Sequence, residues 1–371
     1  MTIDGKSVGL ALSGGGYRAS LFSLGSLWRL NEAGLLPKID RITSVSGGSI
    51  LAGVLAHRWR SLNFEQGRAT NFVETVAAPV QEFCSHTIDV SAGVAGILTP
   101  FKSAGDFLIG RYKKDLFGDT TLKQLPTPES GAPLFTFYAT NLQTGRSFRL
   151  RQDKISDYMI GESTSIEVPL ATAVAASSAF PPLFSPIVLR TDPAAWTAGK
   201  LGNDEKWRKR ITLADGGIYD NMGLEQLTGG GSGSVDIVLV SDAGAPFELE
   251  DDPHEDYVRQ LGRVRDILID QTRALRKRWL IESFENERKH GAYWGVATRI
   301  GDYPGGDFLA ADTTVTDALD QVPTRLAAFE PDVQGRLINW GYALCDAALR
   351  TRAKITIPVS TGLPMPQFPL T

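Results

Sequence analysis

Ser46 is the residue whose surroundings most favour nucleophilic chemistry. It lies between the short run at residues 39–42 and the apolar stretch at residues 50–55, which predicts a strand, a sharp turn and a helix. A serine on such a turn projects its hydroxyl clear of the backbone, and the helix N-terminus behind it favours developing negative charge. Gly47 and Gly48 leave room for the bend and for a substrate carbonyl. A plain Ser/Gly-rich connection has the same composition, so Ser46 alone leaves both interpretations open.

Three consecutive glycines form a second candidate element. They are Gly14, Gly15 and Gly16, between the buried strand predicted at residues 7–12 and a helical pattern. Their backbone N–H groups would surround a hollow that suits a phosphate or the oxyanion of an acyl-transfer intermediate. A phosphate-binding P-loop would need Gly-Lys-Ser/Thr where residues 17–19 are Tyr-Arg-Ala. A dinucleotide site would need Gly in place of Ala19, although Asp40 roughly fills its acidic position.

Asp215 presents a carboxylate at the end of a predicted strand. The apolar residues 211–214 lead into Asp215, and Gly216 and Gly217 follow it directly. The carboxylate therefore has unobstructed backbone beside it. An ordinary Asp-Gly turn gives the same sequence, and in isolation the motif favours that simpler interpretation.

Together these three motifs resemble the patatin-like phospholipase family. The resemblance covers roughly residues 7–245 and includes the Gly-Gly-Gly-x-Arg loop at residues 14–18, the turn around Ser46 and the Asp-Gly-Gly at Asp215. Two further stretches look like blocks of the family, at residues 137–145 and 176–184. Five blocks in the same order make the match specific.

Two positions differ from the usual pattern of that family. Its nucleophile motif usually opens with Gly, where this chain has Ser44, and its glycine loop usually closes with Gly, where this chain has Ala19. Both replacements are small, so we expect the geometry of the two turns to be preserved.

The resemblance implies a catalytic dyad of Ser46 and Asp215 without a histidine. Asp215 would remove the proton of the Ser46 hydroxyl during attack, which requires partial burial to raise the pKa of the carboxyl group. The amides of the glycine loop, residues 14–16, would hold the oxyanion. Arg18 would brace the loop or add positive field, unless it forms a surface ion pair. The other supporting residues would be Gly47 and Gly216.

A Ser–Asp–His triad stays open as an alternative. Two of the histidines follow Asp215 in the chain, as the order of an α/β-hydrolase triad requires. The local sequence around each histidine is more typical of a surface or helix-end position than of a catalytic base. The four are His57, His86, His254 and His290.

Composition and charge narrow the class of protein. The chain has 371 residues, 42% of them hydrophobic, which is enough to bury a large core. A net charge of −4 argues against a general nucleic-acid binder, and we expect no cofactor and no metal. Cys84 and Cys345 lie in apolar helical runs and are predicted to be packed thiols in a reducing compartment. With no secretory signal and no run of eighteen apolar residues, the expected location is the cytoplasm, at most peripheral to a membrane.

The predicted fold class is α/β, a three-layer α/β/α sandwich around a largely parallel sheet with a helical C-terminal region. The strands are predicted at residues 8–13, 39–45, 134–140, 147–151, 211–214 and 235–241. Residues 7–245 would form the catalytic domain. Residues 246–371 would form a helical extension, a cap or a second small domain packed on it, with helices at 257–289 and 333–352. Residues 191–210 are predicted to be a surface insertion, and residues 228–234 a flexible internal loop.

Two segments are candidates for contact with lipid. Residues 90–101 are small, apolar and glycine-containing, which suits a mobile lid or interfacial loop but equally a buried loop. The helix that includes Leu261 carries an apolar stripe with arginines nearby. That pattern is found in basic interfacial helices, and more often in helices that pack the stripe on the core and solvate the charges.

The function predicted from these features is a serine acyl hydrolase that cleaves fatty-acyl esters of lipids, with phospholipids as the favoured substrate. A thioesterase or transacylase with the same dyad is one alternative, because the sequence does not fix the leaving group or the acceptor. A catalytically silent lipid-binding module is another. The expected partner is a lipid or phospholipid, and the sequence gives no indication of oligomeric state.

Overall fold

A computed structural model describes residue 3 and residues 5–88, 103–184, 186–229 and 233–371. These residues form a ten-stranded mixed sheet, a separate two-stranded hairpin and ten α-helices. The strands are β1 (Val8–Leu12), β2 (Arg41–Ser44), β3 (Phe64–Glu65), β4 (Arg68–Ala69), β5 (Leu134–Asn141), β6 (Arg146–Arg151), β7 (Ile155–Asp157), β8 (Gly161–Ser163), β9 (Ile187–Arg190), β10 (Arg210–Asp215), β11 (Ile237–Asp242) and β12 (His290–Gly295). The helices are α1 (Gly16–Glu32), α2 (Gly47–Arg58), α3 (Ala78–Cys84), α4 (Ala104–Tyr112), α5 (Leu170–Ser178), α6 (Gly217–Asp220), α7 (Glu225–Thr228), α8 (Tyr257–Glu285), α9 (Thr314–Ala318) and α10 (Pro331–Thr351).

The sheet has a parallel half and an antiparallel half that share β5. Five strands run parallel in the order β12-β11-β1-β2-β5. From β5 the sheet continues antiparallel through β6, β7 and β8, and β5 also pairs antiparallel with β10, which pairs with β9. The six predicted strands are all present, with ends shifted by a few residues.

The two faces of the sheet bury different apolar clusters. Leu10 of β1 and Leu239 of β11 belong to the cluster that includes the apolar sides of α1 and α10. Ala11 and Val240, one position further along the same strands, belong to a second cluster with Leu280 of α8. Because neighbouring side chains on a strand point to opposite faces, helices cover both faces of the sheet. This arrangement confirms the predicted three-layer α/β/α sandwich.

The C-terminal part of the chain is not wholly helical, which corrects the description predicted for residues 246–371. Strand β12 extends the sheet beyond β11 in parallel register, from His290 opposite Ile237 to Gly295 opposite Asp242. The run is short and contains two glycines, so its local strand signal is weak and the pairing with β11 determines its conformation. Helix α10 packs along α1. The boundary at residue 245 stays a prediction.

Two other segments differ from expectation. Residues 191–210 are mostly loop, but they are not a simple surface insertion. The buried guanidinium of Arg208 donates to the carbonyl oxygens of Ile160, Thr197 and Gly202. The predicted lid at residues 90–101 lies outside the described residues, and so do residues 230–232 of the predicted glycine-rich loop.

The described part of the chain bears on the predicted absence of a membrane-spanning helix and on the predicted state of the two cysteines. None of its helices has both the length and the apolar character to cross a bilayer. Cys84 and Cys345 are buried free thiols, as predicted, and burial raises the pKa of each above its ordinary value.

Candidate active site

The ends of β2 and β10 meet head to head beside β5. β2 runs parallel to β5 and its last residue, Ser44, pairs with Phe137. β10 runs antiparallel to β5 on the same side, and its last residue, Asp215, pairs with Ala139. The sequence had suggested that the two ends converge as neighbouring parallel strands. Instead, the opposed directions of β2 and β10 bring the residues after Ser44 up to Asp215.

Ser46 occupies a strained turn between β2 and α2. Its backbone has φ 50° and ψ −120°, a conformation that is rare for a residue with a side chain and costs about 1–3 kcal/mol. The amide of Ser46 donates to the carbonyl oxygen and to the hydroxyl of Ser177, each at 3.1 Å. The amide of Gly48 donates to the carbonyl oxygen of Val45 at 2.9 Å, which closes the turn. Such strain is typical of residues held for function.

The glycine loop lies directly against this turn. A Cβ atom at Gly47 would overlap the carbonyl oxygen of Gly16, so only glycine permits this approach. Gly15 and Gly16 line the same cavity as Ser46 and Asp215. The structure therefore brings together three motifs that lie up to about 200 positions apart in the chain.

Asp215 is buried and its carboxylate faces Ser46. Its Oδ1 accepts from the amide of Gly217 at 2.7 Å, and the nearby side chain of Ser46 also favours the ionised carboxylate. The backbone around Asp215 is fixed, because the hydroxyl of Thr140 donates to its carbonyl oxygen at 2.8 Å. Burial raises the pKa of Asp215 from 3.8 to about 7, and the interactions with Gly217 and Ser46 oppose that rise without cancelling it.

The three amides of the glycine loop are not equivalent. The amide of Gly14 donates to the carbonyl oxygen of Asn221 at 2.9 Å, so it is already paired. Within the described residues, no acceptor pairs with the amides of Gly15 and Gly16. The geometry thus leaves two of the three predicted donors available to an anion in the cavity.

Arg18 braces the loop from behind and is not a surface ion pair. Its buried guanidinium donates to the carbonyl oxygen of Ala243 from two nitrogens, at 3.0 and 2.9 Å. It also bonds to the carbonyl oxygen of Val322 and to the hydroxyl of Thr324. Burial lowers the pKa of Arg18 to about 10. The side chain ties helix α1 to the segment after β11 and to the C-terminal region. Gly216, the other supporting residue, donates its amide to the carbonyl oxygen of Ser177 at 3.2 Å.

A chain of buried serine hydroxyls supports the turn, and sequence reasoning missed it. The hydroxyl of Ser49 donates to that of Ser44 at 2.9 Å and lies 2.8 Å from that of Ser177. Ser177 in turn accepts from the amide of Ser46. Ser44 replaces the glycine that is usual in the family motif. Its hydroxyl is hydrogen bonded to Ser49 and so belongs to the network that supports the turn.

The cavity above Ser46 has a volume of about 500 Å³. One part of its wall is apolar and includes Phe180, Leu183, Phe184, Ile269 and Leu326. Four arginines border it as well, namely Arg263, Arg265, Arg273 and Arg325. Asn221 and Ser178 also line it; Ser178 belongs to the family block at residues 176–184, whereas no local motif in the sequence identified Asn221.

No histidine lines this cavity, and all four lie among the described residues. His86 pairs with Glu82 at 3.0 Å, and His254 contacts Arg259. A larger cavity of about 770 Å³ opens beside β6, β7 and β8, but it contains neither Ser46 nor Asp215. In the part of the chain that the structure describes, no three His, Cys, Asp or Glu side chains are grouped as metal ligands.

Solved structures with a similar fold include human GIVD cytosolic phospholipase A2. Its TM-score is 0.53 at 12% identity, covering 94% of this chain and 60% of that chain. The same human protein in complex with methyl gamma-linolenyl fluorophosphonate gives a TM-score of 0.50 at 14% identity, covering 92% and 57%. VipD from Legionella pneumophila matches at 16% identity over 92% of this chain and 66% of that chain, with a TM-score of 0.38. At these identities the likeness to the human protein shows the fold alone, and this chain spans about 60% of its length.

Sequence comparison gives the family. No curated protein sequence matches the chain. The family model described as patatin-like phospholipase matches residues 10–228, which is more than half of the chain. That range includes the glycine loop, the turn at Ser46 and the strand end at Asp215. The chain belongs to the patatin-like phospholipase family.

Proposed function

We propose that this protein is a serine acyl hydrolase that cleaves fatty-acyl esters of phospholipids through a Ser46–Asp215 dyad. One observation carries the proposal. A serine on a strained turn and a buried carboxylate with a pKa of about 7 line one cavity, together with two glycines whose backbone amides are unpaired within the described residues. These groups supply the nucleophile, the base and the oxyanion donors that acyl transfer requires.

In the first half of the reaction, the Oγ of Ser46 attacks the acyl carbonyl carbon. Its proton passes to the carboxylate of Asp215, and the carbonyl oxygen becomes an oxyanion that the amides of Gly15 and Gly16 hold. Removing one such donor typically raises the barrier by about 3 kcal/mol. The intermediate then collapses, the bond from the carbonyl carbon to the alcohol oxygen breaks, and Asp215 gives its proton to the leaving alcohol. An acyl-serine remains.

Water completes the cycle. Asp215 takes a proton from water as the water oxygen attacks the acyl-serine carbonyl, and the same amides hold the second oxyanion. Collapse breaks the bond to the Oγ of Ser46, which regains a proton from Asp215 as the fatty acid leaves. A base with a pKa near the working pH suits both halves, because it is sufficiently basic to accept a proton and sufficiently acidic to return it.

The cavity wall supports a phospholipid substrate. Its apolar part, around Phe180, Phe184 and Ile269, suits an acyl chain, and the exposed Arg325 at its border suits a phosphate group. The human structure of similar fold is a phospholipase A2, and one of its complexes contains an inhibitor with a linolenyl chain. A substrate that resides in a bilayer also implies that the protein works peripherally at a membrane.

The proposal is tested by measuring fatty-acid release from mixed micelles of phosphatidylcholine, with p-nitrophenyl butyrate as a soluble ester. We expect turnover of both, with free fatty acid and lysophospholipid formed in equal amounts. Transfer of the acyl group to a second lipid in place of water would indicate a transacylase, and preference for acyl thioesters a thioesterase. A folded protein with no turnover of any of these substrates would indicate a lipid-binding module.

The absence of histidine from the cavity wall gives a separate prediction. Each of the four variants His57→Ala, His86→Ala, His254→Ala and His290→Ala should retain most of the kcat/KM measured with the soluble ester. The reason is that none of these side chains borders Ser46. A loss of about a thousandfold in any one variant with an intact far-UV spectrum would support a triad and contradict the dyad.

A further inference from the structure

Helix α8 is attached to the rest of the protein largely through its charged side chains. Arg273 donates to the buried Asp242 at 3.0 Å, and Arg276 donates to the carbonyl oxygen of Tyr219 at 3.1 Å. The ammonium of Lys277 lies 4.5 Å from the centre of the Tyr293 ring. Of the 29 residues of α8, all of which the structure describes, only Leu280 and Ser283 are buried. The polar side of this helix therefore faces the protein.

The apolar stripe of α8 points away from the protein. Its members are spaced three, four or seven residues apart, on one side of the helix, and are between 41% and 76% exposed: Tyr257, Leu261, Val264, Leu268, Leu275 and Trp279. A helix that packs on a core shows the opposite orientation. The core-packed interpretation of this stripe is therefore wrong, and the chain presents a row of large apolar side chains to its surroundings.

Charges are few on this outward side. By the 3.6-residue repeat, the positions beside the stripe between Tyr257 and Trp279 are apolar or neutral apart from Arg265 and Arg278. Arg265 is paired with Asp266 at 2.8 Å, whereas Arg278 is exposed and donates to the carbonyl oxygen of Ala274. The first acidic residue on that side, Glu282, follows the stripe. An apolar face that carries the exposed cation Arg278 complements a lipid surface with anionic headgroups.

The same helix borders the cavity above Ser46. Arg263, Arg265 and Ile269 of α8 line the cavity, and Leu183, 51% exposed, lines it as well. Arg265 donates to the carbonyl oxygen of Pro181 at 3.2 Å, which connects α8 to the segment that contains Leu183. A lipid surface in contact with the stripe would therefore lie next to the entrance of the cavity.

We propose that the outward face of α8 is a docking surface for a bilayer that contains anionic phospholipids. Docking would seat the apolar stripe among the acyl chains and place Arg278 at the headgroups. This inference rests on the proposed function, because docking is useful to the protein only if lipid brought to Ser46 is its substrate.

The test measures binding to vesicles of phosphatidylcholine alone or mixed with phosphatidylglycerol, by co-sedimentation. The variant Leu261→Glu/Leu268→Glu should weaken binding tenfold or more, because two charges enter the apolar stripe. The matched control is Val73→Glu/Val359→Glu, which adds two charges at apolar positions 43% and 90% exposed elsewhere, and it should bind as the wild type does. Arg278→Gln should weaken binding to the mixed vesicles roughly fivefold and leave binding to phosphatidylcholine alone unchanged.

Two readouts separate this proposal from the catalytic one. Leu261→Glu/Leu268→Glu should turn over the soluble ester as fast as the wild type, since neither leucine lines the cavity, while its hydrolysis of vesicle lipid falls with binding. Unchanged vesicle binding in this variant would overturn the docking proposal. So would a wild-type dimer that the variant converts to a monomer, because the face would then pair with a second copy. Vesicle binding through α8 without any ester turnover would overturn only the catalytic proposal.

Discussion

Ser46→Ala should lower kcat/KM for a soluble ester by roughly 10³- to 10⁶-fold and leave the protein folded. The variant removes the only atom that forms the covalent bond to the acyl group, and the remaining catalysis would come from substrate binding and the oxyanion donors. A fluorophosphonate probe should label the wild type once and the variant not at all. Intact-mass measurement and peptide mapping of the labelled protein give the readout.

The control for this experiment is Ser178→Ala. Ser178 also lines the cavity, but its hydroxyl is paired with Tyr112 at 2.9 Å and with the carbonyl oxygen of Val174 at 2.7 Å. We expect this variant to keep the label. A label that persists in Ser46→Ala, or that maps to Ser44, Ser49 or Ser178 in the wild type, would contradict the assignment of the nucleophile.

The residues of the candidate site could be predicted because each belongs to a local motif. A glycine loop after β1, a serine between β2 and α2 and an aspartate at the end of β10 are all patterns of adjacent residues. The way in which they meet could not be predicted. Whether β10 runs parallel or antiparallel to its neighbour depends on pairing with β5, about 70 positions away, and no local pattern encodes that direction.

Two further features of the site lay beyond sequence reasoning for similar reasons. The pairing of the Gly14 amide with the carbonyl oxygen of Asn221 joins segments far apart in the chain. The serine chain under the turn likewise needs Ser177 of α5 to reach Ser49 of α2. Both features depend on tertiary packing. The glycine motif shows that backbone amides are present, but not which of them are already paired.

Helix α8 shows a different limit of the sequence. The 3.6-residue period predicts a helix with an apolar side, and the structure has a helix at Tyr257–Glu285. The period does not say which side faces the protein. Here the carboxylates of Asp220 and Asp242 accept Arg276 and Arg273, so ion pairs and hydrogen bonds determine the orientation against the usual burial preference.

Asp215→Asn should lower kcat/KM for the soluble ester by roughly 10⁴-fold, because an amide accepts no proton from Ser46. In the wild type, kcat/KM should fall tenfold per pH unit below an apparent pKa of about 7, since only the ionised carboxylate acts as base. The pH profile between pH 5 and 9 gives the measurement. A flat profile, or an asparagine variant with nearly full activity, would exclude Asp215 as the base.

The same substitution should stabilise the fold, with a dependence on pH that only a buried carboxyl group produces. Folding raises the pKa of Asp215 from 3.8 to about 7, so the native state holds its proton more tightly than the unfolded state. Below pH 3.8 both states are protonated and there is no penalty. As the pH rises from there to 7, the unfolded state loses its proton first and the native state becomes less stable, by on the order of 4 kcal/mol at pH 8.

Asparagine carries no charge to bury, and its side-chain oxygen can still accept the amide of Gly217. Asp215→Asn should therefore be more stable than the wild type by a few kcal/mol at pH 8, and by less than half of that at pH 5. Urea unfolding at the two pH values measures the difference, and Asp153→Asn, at a more exposed carboxylate, is the control. An asparagine variant that is equally destabilised at both values would mean that Asp215 has only a structural role. If the asparagine variant is inactive and also more stable at pH 8, the wild-type site maintains a carboxylate that lowers the free energy of unfolding, as expected of a catalytic base.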